Sequence, residues 1–345
     1  MKPMKLQENA DLRAHSTMRL GGRARWLAEA TNENEIEKLV RWAKERNLTC
    51  LMIGQGSNIV WRDEGFDCLV IVNRIMGREI LAQDAENVTV RIGGGEDWDD
   101  VVAWAVEKGW GGIEFLSRIP GTTGAAPVQN IGAYGTELAE TLVEVEAYDT
   151  QTDSFGGILK EACDFSYRNS RFKSKDKGRF MITGIVLKLN KKQPVPPFYE
   201  SLQTYFQEHK ITVYTREAVR EAVTTIRAVK LPDPSVVNNN GSFFTNPIVE
   251  KIEFEKLQEE YPDIRGWAMP EDRVKLAAGW LVEKAGFKGV HDRETGMATW
   301  PAQALVLVNE SARSTADLLK FKQKIVNRVQ EMFGVILQPE PELLP

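Results

Sequence analysis

Ile119-Pro-Gly-Thr-Thr-Gly-Ala-Ala-Pro-Val-Gln-Asn-Ile-Gly-Ala-Tyr-Gly135 is the stretch on which the reading of this chain turns. Its seventeen residues hold four glycines, two prolines and few large side chains, so it fits neither helical nor strand patterning. Two further glycine-rich loops precede it. Gly54-Gln-Gly-Ser-Asn58 follows the short apolar strand Leu51-Met-Ile53, and Gly93-Gly-Gly95 breaks the alternating strand Val88-Thr-Val-Arg-Ile92. Glycine lets backbone N–H groups approach a ligand closely and form a nest for an anion. One such loop is commonly a turn. Three of them favour an extended, pyrophosphate-bearing ligand over tight turns in a β-rich domain.

Outward from these loops, strand-like and helix-like stretches alternate. Asn32 and Glu35 read as a capping box before a helix with Ile36, Leu39, Val40 and Ala43 on one face. Buried strands are expected at residues 68–72, 142–148, 180–187 and 304–309. A second helix carries Trp98, Val101, Val102 and Ala105. Gln193-Pro-Val-Pro-Pro197 reads as a stiff linker. Thr215 can cap a helix with Val219, Val223 and Ile226. Lys230-Leu-Pro-Asp-Pro234 then stops helix and strand alike, which places a domain boundary there. Residues 274–285 read as an apolar helix. Ser314 and Asp317 suggest a capping box, and Gly334 a C-cap, for a helix with Leu318, Phe321, Ile325, Val329 and Phe333 inward.

A chain of 345 residues suffices for two or three domains. Its net charge of -5 argues against nucleic acid as a partner. The hydrophobic share of 42% and charged share of 27% are those of a globular protein. Cys50, Cys68 and Cys163 form no CxxC pair, and His15, His209 and His291 are the only histidines, so no metal site is expected. The first residues do not read as a signal peptide, and no apolar run approaches the ~18–20 residues of a membrane span. A soluble cytoplasmic protein is expected. No P-loop occurs, and Ile59 leaves the dinucleotide pattern begun by Gly54 and Gly56 incomplete.

Three other constellations carry polar chemistry. In Phe165-Ser-Tyr-Arg-Asn-Ser-Arg-Phe172, Arg168 can hold a carboxylate bidentately, though a lone arginine is more often in a surface ion pair. Asn238-Asn-Asn-Gly-Ser-Phe-Phe-Thr-Asn246 reads by itself as a turn before a buried strand. Ser242 has no histidine near it to make it a nucleophile, which leaves proton donor or ligand contact. Gln338-Pro-Glu-Pro-Glu342 reads as a polar tail stiffened enough to dock.

Taken in order, residues 54–58, the 119–135 run, Tyr167-Arg-Asn-Ser170, Asn240-Gly-Ser-Phe-Phe-Thr-Asn-Pro247, Gln303-Ala-Leu-Val-Leu-Val-Asn309 and Gln338-Pro-Glu340 closely resemble the UDP-N-acetylenolpyruvoylglucosamine reductase family, in its long-loop form. The resemblance spans nearly the whole chain. It implies an α+β fold of the vanillyl-alcohol-oxidase (PCMH) type. Residues 1–76 and 335–345 would form a first FAD-binding subdomain, residues 77–230 a second, and residues 231–334 a substrate-binding domain. It also implies an FAD-dependent oxidoreductase of peptidoglycan precursor synthesis. Hydride would pass from NADPH by way of FAD to the vinyl methylene of UDP-N-acetylglucosamine enolpyruvate, and a proton would complete UDP-N-acetylmuramate.

The family's residues carry over by motif. Arg168 would grip the carboxylate of the developing enolate, Ser242 would donate the proton, and Glu340 would hold or share a proton beside it. Glu340 is preferred to Glu342 because it follows Val335-Ile-Leu337, read as a strand, at the family spacing. Tyr199 and Lys230 would meet the substrate's diphosphate, and Asn246 and Gln303 other parts of the substrate. Gly54, Gln55, Gly56, Ser57, Asn58, Gly121, Thr122, Gly124, Gln129, Asn130 and Tyr134 would line FAD. With no histidine next to these loops in sequence, the flavin is expected to be non-covalent. A monomer is expected. The competing readings are another flavin oxidoreductase of the same fold and a non-catalytic flavin or UDP-sugar binder.

Overall fold

A computed structural model describes residues 5–344. The leader reading of Met1 to Met4, and Pro345 of the tail, lie outside the described residues. The chain forms two compact units. One takes in the chain up to Ala10, Ala24–Gln55 and Asp67–Ala228. The other takes in Asp11–Arg23, Gly56–Phe66 and the chain from Val229 onward.

The first unit contains two sheets. In the four-stranded sheet the order is Leu6–Asp11, Arg23–Ala30, Phe66–Asn73, Thr49–Ile53, and the last two strands are parallel. The helix Glu33–Lys44 buries Ile36, Leu39, Val40 and Ala43 in one cluster with Leu69 and Ile71 of that sheet. Asn32 caps it by accepting from the Glu35 N–H. The expected reciprocal bond differs: the Glu35 carboxylate reaches past Asn32 to the N–H and hydroxyl of Thr31, at 2.7 and 2.9 Å. The five-stranded antiparallel sheet runs Ser154–Leu159, Leu142–Asp149, Phe180–Asn190, Asn87–Gly93, Arg78–Gln83. The helix Trp98–Glu107 packs Trp98, Val101, Val102 and Ala105 with Val90, Ile92, Val145 and Ile185 of this sheet. The Arg216–Lys230 helix starts where Thr215 Oγ1 accepts from the Ala218 N–H. Val219 and Val223 are buried.

The second unit is built on the antiparallel sheet Asn239–Ser242, Gln303–Asn309, Met297–Trp300, His291–Asp292. The long helix Thr315–Phe333 begins at a full capping box between Ser314 and Asp317 and stops at Gly334, whose φ is +70°. Its apolar stripe joins Phe243, Phe244, Leu276, Leu281 and Leu307 in one core.

Two expected elements differ. Residues 274–285 do not form one helix. Arg273–Leu276 is a strand and only Ala278–Lys284 is helical. Val274 and Leu276 are buried and alternate with partly exposed Arg273 and Lys275, a period of two that the apolar content masked. Val335-Ile-Leu337 is not a strand either, although Ile336 points out between two buried neighbours. The last strand is Glu342–Leu344, paired in parallel with Ile59–Trp61. Before it, Gln338 and Glu340 bond to Thr245 and Phe243, with Pro339 bridging opposite Phe244, so the tail pairs first with that segment.

The outer rim of the five-stranded sheet carries an ion pair with a readable signature. Arg179 donates to both oxygens of Asp149, at 2.9 and 2.6 Å, and holds its carboxyl down to about 2. A carboxyl depressed on folding adds stability above its unfolded value near 4, and that stability is lost as pH falls toward about 2. Urea titrations should show Arg179→Met losing about 1 kcal/mol at pH 7 and converging on the parent protein in strong acid. An equal loss at both pH values would mean that packing, not charge, is responsible.

Candidate active site

In the first unit the three glycine-rich loops meet. The Gly124 N–H donates to the Gly94 carbonyl at 2.9 Å, and the Gly94 N–H donates to Thr183 at 2.7 Å. Trp98 N–H donates to Gly121, Thr123 N–H donates to Glu96, and the Gln55 amide donates to Asp97 at 2.7 Å. Gly54 lies so close to Thr122 that a Cβ added to it would stand 2.0 Å from Thr122 Oγ1. Thr122 is 2% exposed, and its hydroxyl is buried without a hydrogen-bond partner. Bare backbone from three loops, with one buried hydroxyl lacking a partner, suits a ligand that brings its own polar groups.

The 165–172 segment fastens onto the same run. Ser170 Oγ donates to Val128 O at 2.7 Å, Asn130 Nδ2 donates to Ser166 O at 3.3 Å, and Arg168 donates to Gly132 O at 2.6 Å. Asn130 also donates to Glu137 at 2.7 Å and accepts from the Ala139 N–H at 3.1 Å, so its carboxamide holds the shape of the run. Gln129, partly exposed, is its neighbour on that run. Arg168 sits at φ +53° with its guanidinium 5.1 Å above the Tyr167 ring. The anchored guanidinium is therefore fixed in direction. Tyr134 meets Tyr199 edge-on at 5.8 Å, and burial raises its hydroxyl above the usual range. Tyr199 itself is 42% exposed and precedes the helix Glu200–Glu208.

Sequence reading missed Arg227. Its Nε is buried without a partner, and it lies in the field of Tyr134, Arg118 and Arg168. Burial above all, then the two neighbouring cations, lowers its basicity. Arg220, two turns earlier on the same helix face, is neutralised by both oxygens of Asp99, at 2.6 and 3.1 Å. The available signal was spacing: Arg220, Arg227 and Lys230 share one helical stripe. Lys230 is the exposed last residue of that helix.

In the second unit, Gly56 has φ +73°, and an added Cβ would stand 2.1 Å from the carbonyl oxygen of His15. A histidine thus reaches this loop through its main chain, which sequence distance had hidden. Ser57 and Asn58 follow. Asn58 Nδ2 donates to Glu340 O at 3.4 Å, and the Glu342 N–H donates to Asn58 O at 3.0 Å. Ser242, half-buried, ends the strand Asn239–Ser242 opposite Val306. The next residue, Phe243, accepts from the Glu340 N–H at 2.9 Å. The tail is docked, and it brings Glu340 alongside the Ser242 segment. Asn246 caps the helix Ala278–Lys284 by accepting from the Ala278 N–H at 3.0 Å. Gln303 opens the strand Gln303–Asn309, with its Oε1 against Gly279. Among the described residues, no group of three or more metal-ligating side chains occurs and no helix is long and apolar enough to cross a membrane.

Residues 24–153 match the family described as FAD binding domain, and residues 233–344 match the family described as UDP-N-acetylenolpyruvoylglucosamine reductase, C-terminal domain. The chain is 43% identical to the UDP-N-acetylenolpyruvoylglucosamine reductase of Alcanivorax borkumensis, over 98% of this chain and 96% of that one. It is 39% identical to the protein of the same name from Pseudomonas aeruginosa, over 99% of both. The crystal structure of UDP-N-acetylenolpyruvylglucosamine reductase from Thermus caldophilus superposes with a TM-score of 0.68 at 22% identity, over 99% of this chain and 100% of that one. The expected α+β FAD-binding fold is therefore present. The converging loops and the unpartnered Thr122 hydroxyl fit that cofactor.

Gly54→Ala should give a folded protein whose visible flavin absorbance, at fixed added FAD, falls about tenfold, because the new methyl collides with Thr122. Adding Thr122→Ala removes the colliding hydroxyl and should restore part of the flavin. Equal flavin content in Gly54→Ala and the parent protein would dissociate this contact from cofactor binding.

Proposed function

The chain belongs to the UDP-N-acetylenolpyruvoylglucosamine reductase family, and from that premise we propose that it spends NADPH to convert the enolpyruvyl ether of UDP-N-acetylglucosamine into UDP-N-acetylmuramate, with Ser242 giving the proton. It is an FAD-dependent oxidoreductase of peptidoglycan synthesis. When bound, FAD would supply two-electron, hydride-level chemistry between a nicotinamide and the vinyl ether.

The chain's own residues manage the charge and the proton. Hydride addition pushes an electron pair onto the neighbouring carbon and into its carboxylate, an enolate. Arg168, held in one direction by its bond to Gly132, is suited to grip that carboxylate with a fork of N–H groups. The enolate carbon takes the Ser242 proton, and solvent returns one to the serine oxygen. Glu340 would keep its own proton and hydrogen-bond through it to the developing enolate, since an ionised carboxylate would repel that charge. Gly54, Gln55, Gly56, Ser57, Asn58, Gly121, Thr122, Gly124, Gln129, Asn130 and Tyr134 would hold the cofactor. Tyr199 and Lys230 would take the diphosphate, and Asn246 and Gln303 the rest of the UDP-sugar. The division into two FAD subdomains and a substrate domain, the monomeric state and the cytoplasmic location belong to the same reading.

The observation that carries it is the docking of the tail. The hydrogen bond from Glu340 N–H to Phe243 O sets the proposed acid next in line to the proposed proton donor.

An anaerobic spectral series tests the proposal. NADPH should bleach the flavin band, and the enolpyruvyl UDP-sugar should restore it. Bleaching without restoration moves the function to another acceptor. Ser242→Ala should bleach at the parent rate yet recover about a thousandfold more slowly. Normal recovery would remove serine from the mechanism. Arg168→Lys should lose roughly a hundredfold in turnover, because a point charge does not replace a bidentate fork. Near-parent turnover would remove the carboxylate clamp.

A further inference from the structure

Asn240 lies two residues before Ser242 and is 5% exposed. Its side-chain NH2 faces three oxygens: Thr17 Oγ1 at 3.1 Å, Ser57 O at 3.2 Å and Ile59 O at 3.2 Å. Two of these are main-chain carbonyls, which only accept. The orientation of the carboxamide is therefore dictated, with nitrogen toward the loop and oxygen away from it. That leaves Asn240 Oδ1 buried with no partner. A buried acceptor without a donor is costly, so the side chain is held there for what its donor end does.

What the donor end does follows from the bonds around it. Ser57 and Ile59 flank Asn58, whose amide donates to Glu340 O. The Glu340 N–H donates to Phe243 O. Phe243 follows Ser242, and the chain runs back through Gly241, at φ +68°, to Asn240. The result is a closed circuit: Asn240, the 57–59 loop, Glu340, Phe243, Ser242. Ser242 is held on one side by Asn240 and on the other by the tail, both tied to one loop.

We propose that Asn240 is a positioning residue for Ser242, pinning the serine strand to the 57–59 loop so that the hydroxyl is presented at one fixed place. This inference rests on the assignment of Ser242 as proton donor. Asn240 touches neither substrate nor reacting atoms in this account. Its loss leaves hydride uptake alone and impairs the step that needs an aligned proton. A displacement of the donor by about 1 Å is enough to slow that step by up to two orders of magnitude.

The experiment follows the two half-reactions by stopped flow on the full-length, FAD-loaded chain. In Asn240→Ala, bleaching by NADPH should stay within about twofold of the parent. Recovery with the enolpyruvyl UDP-sugar should slow about thirtyfold, with an enlarged solvent isotope effect and little change in KM. Asn240→Ser retains a small donor and should recover most of the lost rate; it also serves if the alanine variant fails to fold. Recovery at the parent rate, or equal slowing of both half-reactions, overturns the proposal. Ser242→Ala is measured alongside. If that variant recovers normally, the proton-donor assignment has failed. If it is slow while Asn240→Ala is normal, only the role of Asn240 has failed.

Discussion

Close approach of one stretch of main chain to another is the constraint on which the first unit depends. Gly54 has room for Thr122 only because it lacks a Cβ, and Gly124 reaches Gly94 closely enough for a 2.9 Å hydrogen bond. Side chains at such positions would part the loops. The surrounding sheets and helices hold these loops at that distance. Trp98 and Val101 anchor the helix after Gly93 in the core, and the Trp98 N–H also donates to the Gly121 carbonyl of the 119–135 run. Packing and loop geometry are thus set by the same residues.

The second unit solves a different problem. It brings Glu340 beside the segment that follows Ser242, from a distant part of the chain. It does so with backbone pairing. Phe243 bonds to Leu305 on one side and to Glu340 on the other, so the segment after Ser242 lies between a sheet strand and the tail. Beneath it, Phe243 and Phe244 are almost wholly buried and meet at 5.4 Å with their rings nearly perpendicular. An apolar floor and a polar edge hold Ser242 without using its hydroxyl.

Much of this was legible in the residues. The capping signals at Asn32, Thr215 and Ser314 and the αL stop at Gly334 start or end real helices, because these effects are local and need only a few neighbours. Apolar stripes at helical spacing found their cores for the same reason. Reading failed where a pattern had two partners to choose between. Residues 273–276 have enough apolar content for a helix, but a strand on each side recruits them. Val335-Ile-Leu337 alternates like a strand, yet the tail pairs only from Gln338 onward, first with residues 243–245 and then, at Glu342–Leu344, with Ile59–Trp61. Site residues showed the same division. The glycine loops announced themselves by composition. Arg227 and Asn240 did not, because the burial of one and the bonds of the other to residues some 180 or more positions away appear only in three dimensions.

The pairing of Glu342–Leu344 with Ile59–Trp61 has a consequence for when the enzyme comes into being. The Asn58 and Glu340 contact spans 282 positions in sequence. Contacts this distant form late, after loop-closure entropy has been met by other structure. During synthesis the loop at 56–59 emerges long before the strand that completes its sheet and the glutamate that faces it. A nascent chain can therefore form the core of its first unit while this edge is still open. The edge that joins residues 56–59 to residues 340–344 is thus among the last parts of the second unit to take shape, and it is held by main-chain pairing that no local signal nucleates.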